Sequence, residues 1–222
     1  VATPLDLDSA AFLEPLVDAY KIASADNLFY PLLELVAATG KPVIVSAGLS
    51  STERIERSVA FLRWQWSAAG LEERLAVLHC VSSYPAAPES VNLATIGFLR
   101  ERLGCTVGYS DHTIGIEVCE LAVAAGARVV EKHFTLDKQA SDFRDHQLSA
   151  DPDDLRQLVE RIRRVEESVG SPGKAVQPAE AELEPEGEAG GEPARADAAH
   201  VAGRQLGTDG EDGHGDLGES SR

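Results

Sequence analysis

The stretch TVGYSDHTIGIEVCELAVAAGARVVEKHF, residues 106–134, decides the fold. A short apolar run at residues 106–110 precedes a helical pattern near residues 116–125, and a second strand-like run follows at residues 129–134. This order predicts a strand, a crossover helix and a second strand parallel to the first. The predicted strands of the chain are largely continuous apolar runs, as expected in a sheet that is covered on both faces.

The same alternation extends through the rest of residues 19–169. Further strands are predicted at residues 19–24, 42–47 and 75–80. Further helices are predicted near residues 28–38, 52–68, 88–103 and 151–169. Two α/β architectures fit this pattern, a (β/α)₈ barrel and an open doubly wound sheet. No glycine-rich phosphate-binding fingerprint follows a predicted strand, which weakens the dinucleotide-binding version of the doubly wound sheet.

Three predicted helix boundaries carry their own signals. A Gly-Lys-Pro sequence that begins at Gly40 ends one helix and leads into an extended strand. Ser50 is followed three residues later by glutamate, which predicts a capping box. Asp151 precedes a proline, which predicts an N-cap and a proline in the first helical turn.

The chain is acidic, with a formal net charge of −17 at pH 7. Residues 175–222 contain twelve acidic and three basic residues and almost no large apolar ones. Such a segment buries too little apolar surface to offset the entropy of ordering. We therefore predict a disordered acidic tail at residues 173–222 after one partial barrel domain at residues 1–172. Because nucleic acids and anionic membranes bind basic patches, the charge argues against both as partners.

The three cysteines are scattered through apolar segments, which is typical of reduced, buried thiols in a cytoplasmic protein. No apolar run has the length of a transmembrane helix, and no signal-peptide pattern is present. These features predict a cytoplasmic location.

Histidines stand where predicted strands end. His112 and His133 are 21 residues apart, about one strand–helix repeat, so they are predicted on neighbouring strands. The carboxyl ends of barrel strands meet on the face where active sites form. Neighbouring strands lie about 4.8 Å apart, so both imidazoles could bind one metal ion at about 2.1 Å. Two hydrogen-bonded histidines at a sheet edge are the alternative, and His79 is interpreted as a hydrogen-bonded core histidine.

Other polar residues at predicted strand ends suggest an anion site. Lys21, Ser24 and Ser46 together suit a phosphate, although a solvated lysine and helix-capping serines would also fit. Tyr84, followed by proline, indicates either a turn that packs on the rim or a substrate contact. Asp145 lies in the sequence SDFRDH, which by itself indicates a polar surface loop.

Six segments resemble the sialic acid synthase family in their order and spacing over residues 2–173. They are residues 2–6 (ATPLD), 20–24 (YKIAS), 40–48 (GKPVIVSAG), 78–93 (LHCVSSYPAAPESVNL), 108–115 (GYSDHTIG) and 131–137 (EKHFTLD). The last two are the most specific. The family includes enzymes that make sialic, legionaminic and pseudaminic acids, and spore coat polysaccharide biosynthesis proteins.

The resemblance implies a (β/α)₈ barrel that condenses phosphoenolpyruvate with an N-acetylated amino-sugar aldehyde and releases phosphate. It implies a divalent ion, Mn²⁺ or Mg²⁺, bound by His112 and His133. It implies phosphoenolpyruvate contacts from Thr3, Lys21, Ser24, Ser46, Ser82 and Ser110. It implies sugar contacts from Tyr84 and Asp145 and a catalytic position at Asp26, where many members have glutamate.

The resemblance also implies missing parts. The family's first two strands would precede Val1, which leaves about six of eight strands, and the acidic tail stands in place of the family's C-terminal antifreeze-like domain. A barrel with open edges cannot close, so this chain alone is expected to be inactive or to need further material. The alternatives are an inactive or fragmentary homologue that retains phosphate or metal binding, and another phosphoenolpyruvate-using sugar-acid synthase. Family members are dimers, so a homodimer is expected.

Overall fold

A computed structural model describes residues 1–141 and 143–181 of the chain. Its centre is a parallel five-stranded sheet, with strands β1 Tyr20–Ile22, β2 Val43–Ser46, β3 Leu75–Cys80, β4 Thr106–Asp111 and β5 Val130–Lys132. The strands lie side by side in sequence order. A doubly wound sheet reverses its strand order at a switch point. The described strands show no such reversal and form a curled half-barrel instead.

An α-helix connects each strand to the next, and further helices precede β1 and follow β5. The α-helices are α1 Leu7–Leu13, α2 Tyr30–Ala38, α3 Thr52–Ala69, α4 Ala94–Leu103, α5 Glu117–Ala124, α6 Arg144–Leu148, α7 Pro152–Val169 and α8 Pro178–Ala181. Single 3₁₀ turns occur at Glu14–Leu16, Ser24–Asp26 and Pro88–Ser90. The predicted βαβ alternation of the chain is therefore confirmed from β1 to β5.

The described sheet has five strands rather than the predicted number of about six. Beside β1, Ala2 forms a single parallel bridge with Tyr20, and beside β5, Ala150 forms a single parallel bridge with Phe134. The first segment cannot extend into a strand because Pro4 lacks a backbone N–H and α1 begins three residues later. The segment at Ala150 is equally short because it lies between α6 and α7.

The main core lies between the sheet and the helices. The alternate strand residues Ile22, Val45, Val77 and Val107 are at most 1% exposed. They belong to one apolar cluster with helix residues such as Leu62 of α3. Burying one such side chain stabilises the fold by about 1.5–3 kcal/mol.

Two of the three predicted helix boundaries are confirmed. Gly40 follows α2 with a φ of 68°, which favours glycine. Asp151 caps α7, and its carboxylate accepts a hydrogen bond from the backbone N–H of Asp154 at 2.9 Å. The predicted capping box at Ser50 is wrong, because the residue after Ser50 is the N-cap of α3. The Ser50 hydroxyl instead donates to Asn27 Oδ1 at 3.0 Å.

Two short helices were not predicted from the sequence. α1 has seven residues and α6 has five, which is too short for a clear apolar period. The start of α1 nevertheless carries a capping box, in which Asp6 accepts a hydrogen bond from the Ser9 N–H at 2.6 Å. The helix predicted near residues 88–103 is divided into a 3₁₀ turn and α4, and Asn92 between them has a φ of 45°.

The chain divides into two compact units, with the boundary after Pro172. The described part of the second unit contains α8. The predicted disordered tail at residues 173–222 lies outside the described residues from residue 182 onward, so that part stays a prediction. In residues 1–141 and 143–181, no helix is long and apolar enough to cross a membrane.

Gly108 lies where β4 passes closest to its neighbours. A Cβ atom at this position would be 2.6 Å from Leu78 Cδ2 and 2.8 Å from Val129 Cβ, and closer still to the carbonyl oxygen of Val129. Part of this obstacle is backbone, which cannot rotate away. Any larger residue would therefore push β4 away from its neighbours.

We expect Gly108→Ala to destabilise the chain by about 1–3 kcal/mol or more, because overpacking strains the core. Gly97→Ala is the matched control. Gly97 lies in α4, and no described atom is within 4 Å of a Cβ placed there. Alanine stabilises a helix by about 1 kcal/mol relative to glycine, so this variant should be at least as stable as the parent. Urea unfolding of both variants measures the difference, and a Gly108→Ala chain as stable as the parent would contradict the close packing.

Candidate active site

A cavity of about 570 Å³ opens at the carboxyl ends of the strands. This is the end at which active sites form in (β/α)₈ barrels. Most of the predicted site residues line it together: Lys21, Ser24, Ser46, Ser82, Tyr84, Ser110, His112 and His133. Residues from five different strand ends therefore converge on one polar space.

The register of the sheet explains this convergence. Successive side chains of a strand point to opposite faces. Ser110 pairs with Cys80 on one side and with Glu131 on the other, and all three line the cavity. Their neighbours Tyr109 and Asp111 are buried on the opposite face, beneath the helices.

Glu131 is a central cavity residue that the sequence analysis did not single out. Its carboxylate accepts a hydrogen bond from the Ser110 hydroxyl at 2.8 Å. It also forms an ion pair with Lys21, with 3.3 Å between Nζ and Oε2. Glu131 precedes His133 by two residues, and the two-residue period of a strand predicts that both face the same side. That signal was present in the sequence.

Serine hydroxyls form a second part of the lining. A Cβ atom on Gly48 would be 2.6 Å from Ser24 Oγ and closer still to Ser82 Oγ, so glycine allows both hydroxyls to approach the backbone. Ser46 Oγ is buried and has no hydrogen-bond partner among the described residues. A buried hydroxyl without a partner costs about 1–3 kcal/mol, and an oxygen of a ligand in the cavity would satisfy it.

His112 and His133 lie beside each other in the cavity. Their ring centroids are 5.2 Å apart, and the ring planes are at 77° to each other. Nδ1 of His112 lies 2.8 Å from the carbonyl oxygen of Val81. Because a carbonyl only accepts hydrogen bonds, Nδ1 carries the proton and Nε2 keeps its lone pair. The ring of Tyr84 packs on His112 with 4.1 Å between centroids and restricts its rotation.

The two imidazoles differ in their affinity for protons. Burial, and then the neighbouring His112, lower the pKa of His133. Burial also acts to lower the pKa of His112, but contacts with the Cys80 thiol and a backbone carbonyl, together with the Asp111 carboxylate, outweigh it and raise that pKa. His133 is therefore the ring that stays neutral more readily, and a neutral imidazole is the form that binds a metal.

A buried ion pair lies directly behind the histidines. Asp111 and Lys132 are register partners on β4 and β5, and each stands one residue before a histidine. Lys132 Nζ lies 2.7 Å from Asp111 Oδ2, and the two side chains are 4% and 0% exposed.

Three predicted site residues do not line the cavity. Thr3 is exposed and follows the Ala2 bridge. Asp26 ends the 3₁₀ turn that follows β1. Asp145 lies in α6 rather than in a loop, with its Oδ2 3.8 Å from Nδ1 of His133. The roles assigned to these three residues stay predictions.

The two histidines fit a divalent ion that is held by few protein ligands. Both rings line one cavity, and the hydrogen bond to Val81 leaves one lone pair of His112 for a metal. Among the described residues, no group of three or more His, Cys, Asp or Glu side chains could hold an ion. Catalytic metal sites keep positions for water or substrate, and Mn²⁺ and Mg²⁺ accept such oxygen ligands readily.

Residues 1–174 match the model of the NeuB family. The chain belongs to this family. An uncharacterised protein of Methanocaldococcus jannaschii is 47% identical to it over 184 residues, which cover 82% of this chain and 53% of that protein. The N,N'-diacetyllegionaminic acid synthase of Campylobacter jejuni is 37% identical over 171 residues, which cover 77% of this chain and 50% of the synthase.

The fold of this NeuB-family chain also matches a solved enzyme structure. The N-acetylneuraminic acid (sialic acid) synthetase of Leptospira borgpetersenii superposes with a TM-score of 0.76 and 36% sequence identity, covering 82% of this chain and 61% of that one. The family inferred from the motifs is therefore confirmed, and its named relatives include sialic-type acid synthases. The chain spans about half the length of the curated relatives it matches.

We expect His112→Ala and His133→Ala each to weaken Mn²⁺ binding by at least about tenfold, because each removes one nitrogen ligand. His146→Ala is the matched control. Nδ1 of His146 lies 2.9 Å from Thr135 Oγ1, and His146 does not line the cavity. Electron paramagnetic resonance of free Mn²⁺ measures the affinity. Unchanged binding by His112→Ala would show that the ligand assignment is wrong.

Proposed function

We propose that this chain carries the condensing site of a sialic-type acid synthase, in surface polysaccharide biosynthesis. Carbon 3 of phosphoenolpyruvate attacks the aldehyde carbon of an N-acetylated amino sugar such as N-acetylmannosamine. Water then adds at carbon 2 and phosphate leaves, which gives a nonulosonic acid. The observation that carries the proposal is the polar cavity in which Lys21, serine hydroxyls, His112 and His133 converge. A cytoplasmic location and a homodimer belong to the same proposal.

One end of the cavity suits the phosphate and carboxylate of phosphoenolpyruvate. Lys21 supplies a positive charge, and Ser24, Ser46 and Ser82 supply hydroxyl groups. Ser110, whose hydroxyl donates to Glu131, would turn this donor toward the substrate when the anion binds. The unpartnered Ser46 hydroxyl is a donor in a place from which water is largely excluded. Before an anion binds, the ion pair at 3.3 Å with Glu131 holds the Lys21 ammonium at this position. The contribution of these groups is mainly orientation of the substrate.

The other end of the cavity suits the aldehyde. A divalent ion bound by His112 and His133 would supply Lewis-acid stabilisation of the oxygen that becomes an alkoxide. The Tyr84 ring, 4.1 Å from the His112 ring, limits the space for the sugar on this side. Asp145, at 3.8 Å from His133 Nδ1, lies near enough to this end to accept a hydrogen bond from a sugar hydroxyl.

Thr3 and Asp26 have weaker geometric support. Both lie beside the amino-terminal strands but outside the cavity lining. Thr3 would contact phosphoenolpyruvate, and Asp26 would act in catalysis, only if their side chains moved toward Lys21 and Ser24 when the substrate binds.

Release of phosphate from phosphoenolpyruvate tests the proposed reaction. For the full-length gene product with Mn²⁺ present, we expect release only when an N-acetylated amino sugar is added. Lys21→Met should raise the KM for phosphoenolpyruvate by about tenfold or more, because a charged hydrogen bond is worth about 1.5–3 kcal/mol. Lys174→Met is the matched control, since this lysine side chain is 85% exposed. An unchanged KM in Lys21→Met would exclude the phosphate role of this lysine.

The same assay separates the alternatives. Release by the full-length gene product but not by this chain would favour a fragmentary homologue. No release by either would favour an inactive homologue that retains only phosphate or metal binding. Release driven by a phosphorylated aldose, but not by an amino sugar, would favour another phosphoenolpyruvate-using sugar-acid synthase.

A further inference from the structure

The residues immediately before the two cavity histidines form a pair of their own. Asp111 of β4 is the register partner of Lys132 of β5. Because strand side chains alternate between faces, these two point away from the cavity while His112 and His133 point into it. Cys119 of α5 donates a hydrogen bond to Asp111 at 3.4 Å, which confirms that the pair lies on the helix-covered face.

This pair has almost no contact with water. The side chains of Lys132 and Asp111 are 4% and 0% exposed. Removing two charges from water costs several kcal/mol per ion, and an apolar pair of similar size is often at least as stable. The need for a packed core therefore does not explain why an aspartate and a lysine stand here.

Hydrogen bonds extend from the pair to the backbone of Thr113, which follows His112, and to the side chain of Tyr109. Asp111 accepts hydrogen bonds from the Tyr109 hydroxyl at 3.0 Å, from the Thr113 N–H at 3.0 Å and from the Thr113 hydroxyl at 3.1 Å. Lys132 Nζ donates to Asp111 at 2.7 Å and to the carbonyl oxygen of Thr113 at 2.5 Å. Lys132, which precedes His133, therefore binds both neighbours of His112, namely Asp111 and Thr113.

We propose that the Asp111–Lys132 pair is a positioning device, which sets the spacing of His112 and His133 for one divalent ion. This inference rests on the proposed metal role of the two histidines. Neither Asp111 nor Lys132 lines the cavity, so the pair acts through the histidines and touches no ligand. Supporting residues of this kind typically change metal affinity by about 10- to 100-fold.

Two variants test the pair. Lys132→Met leaves the Asp111 carboxylate buried without a counter-ion and is expected to destabilise the chain strongly. The double variant Asp111→Asn/Lys132→Met contains no buried charge and keeps an acceptor oxygen for Tyr109 and Thr113, so we expect it to regain much of that stability. It still lacks the ammonium group that joins β5 to β4. We expect the double variant to raise the Kd for Mn²⁺ by about 10- to 100-fold.

Two control variants separate positioning from stability. Lys138→Met removes a partly exposed lysine that pairs with Asp151 at 3.5 Å, and we expect its Kd for Mn²⁺ to change by less than about twofold. Leu158→Ala opens a gap in the small core that contains Cys119 and should cost stability without touching the ion pair. If Leu158→Ala weakened Mn²⁺ binding as much as the double variant does, the pair would be structural only and the proposal would be overturned.

A second measurement uses the full chain without metal. Imidazole ¹⁵N shifts should place the proton of His112 on Nδ1 in the parent chain, as the 2.8 Å contact with Val81 requires. In the double variant we expect a mixture of the two tautomers. Parent-like tautomers together with parent-like Mn²⁺ affinity in the double variant would overturn the proposal. If the parent chain binds no Mn²⁺, the metal role fails separately, and the tautomers alone decide whether the pair positions the rings.

Discussion

Asp111 and Lys132 sit at 0% and 4% exposure with 2.7 Å between their charged atoms, and this contact limits how β4 and β5 can pair. A shift of one residue in the register of either strand would turn one of the charges toward the cavity and bring an unmatched side chain beneath the helices. The desolvation of the remaining charge would then be uncompensated. The register that avoids this also places Ser110 opposite Glu131 and brings the two histidine rings within 5.2 Å. The chemistry of the cavity therefore depends on a polar contact on the opposite face of the sheet.

Much of the fold could be predicted because its larger elements fill whole sequence patterns. β3 occupies the predicted apolar run without change, and α3 extends the predicted helix by one residue. The choice between a barrel and a doubly wound sheet could not be made from periodicity, since both consist of βαβ units. The resemblance to sialic acid synthases favoured the barrel, and the sequential strand order agrees with it. Position within an element was harder to predict. In α3, for example, Trp64 is 62% exposed and Trp66 is 2% exposed, because the two side chains lie on different sides of the helix.

The candidate site was predicted to the extent that its residues stand at strand ends. The spacing of His112 and His133 by one repeat was enough to place them together. Glu131 was missed because charged residues inside a strand are ordinarily taken as exposed. Only the pairing with β4 shows that Glu131 faces the cavity while Lys132 is buried on the other face. Asp145 shows the opposite difficulty. Its segment is polar like a surface loop. The short helix that places Asp145 beside His133 has no apolar periodicity or capping pattern by which the sequence could reveal it.

The ion pair between Lys21 and Glu131 has a consequence for the way an anion reaches the cavity. A bare lysine in a cleft would attract anions over a distance set by the Debye length, about 8 Å at physiological ionic strength. Here the nearest carboxylate cancels that charge, and the chain as a whole carries −17. Long-range electrostatic steering is therefore weak, and recognition of an anion depends on short-range hydrogen bonds formed after it has entered. Because salt screens the repulsion between an anion and the negatively charged chain, the rate of anion association should not fall as the salt concentration rises, in contrast to enzymes whose clefts concentrate their substrates by charge.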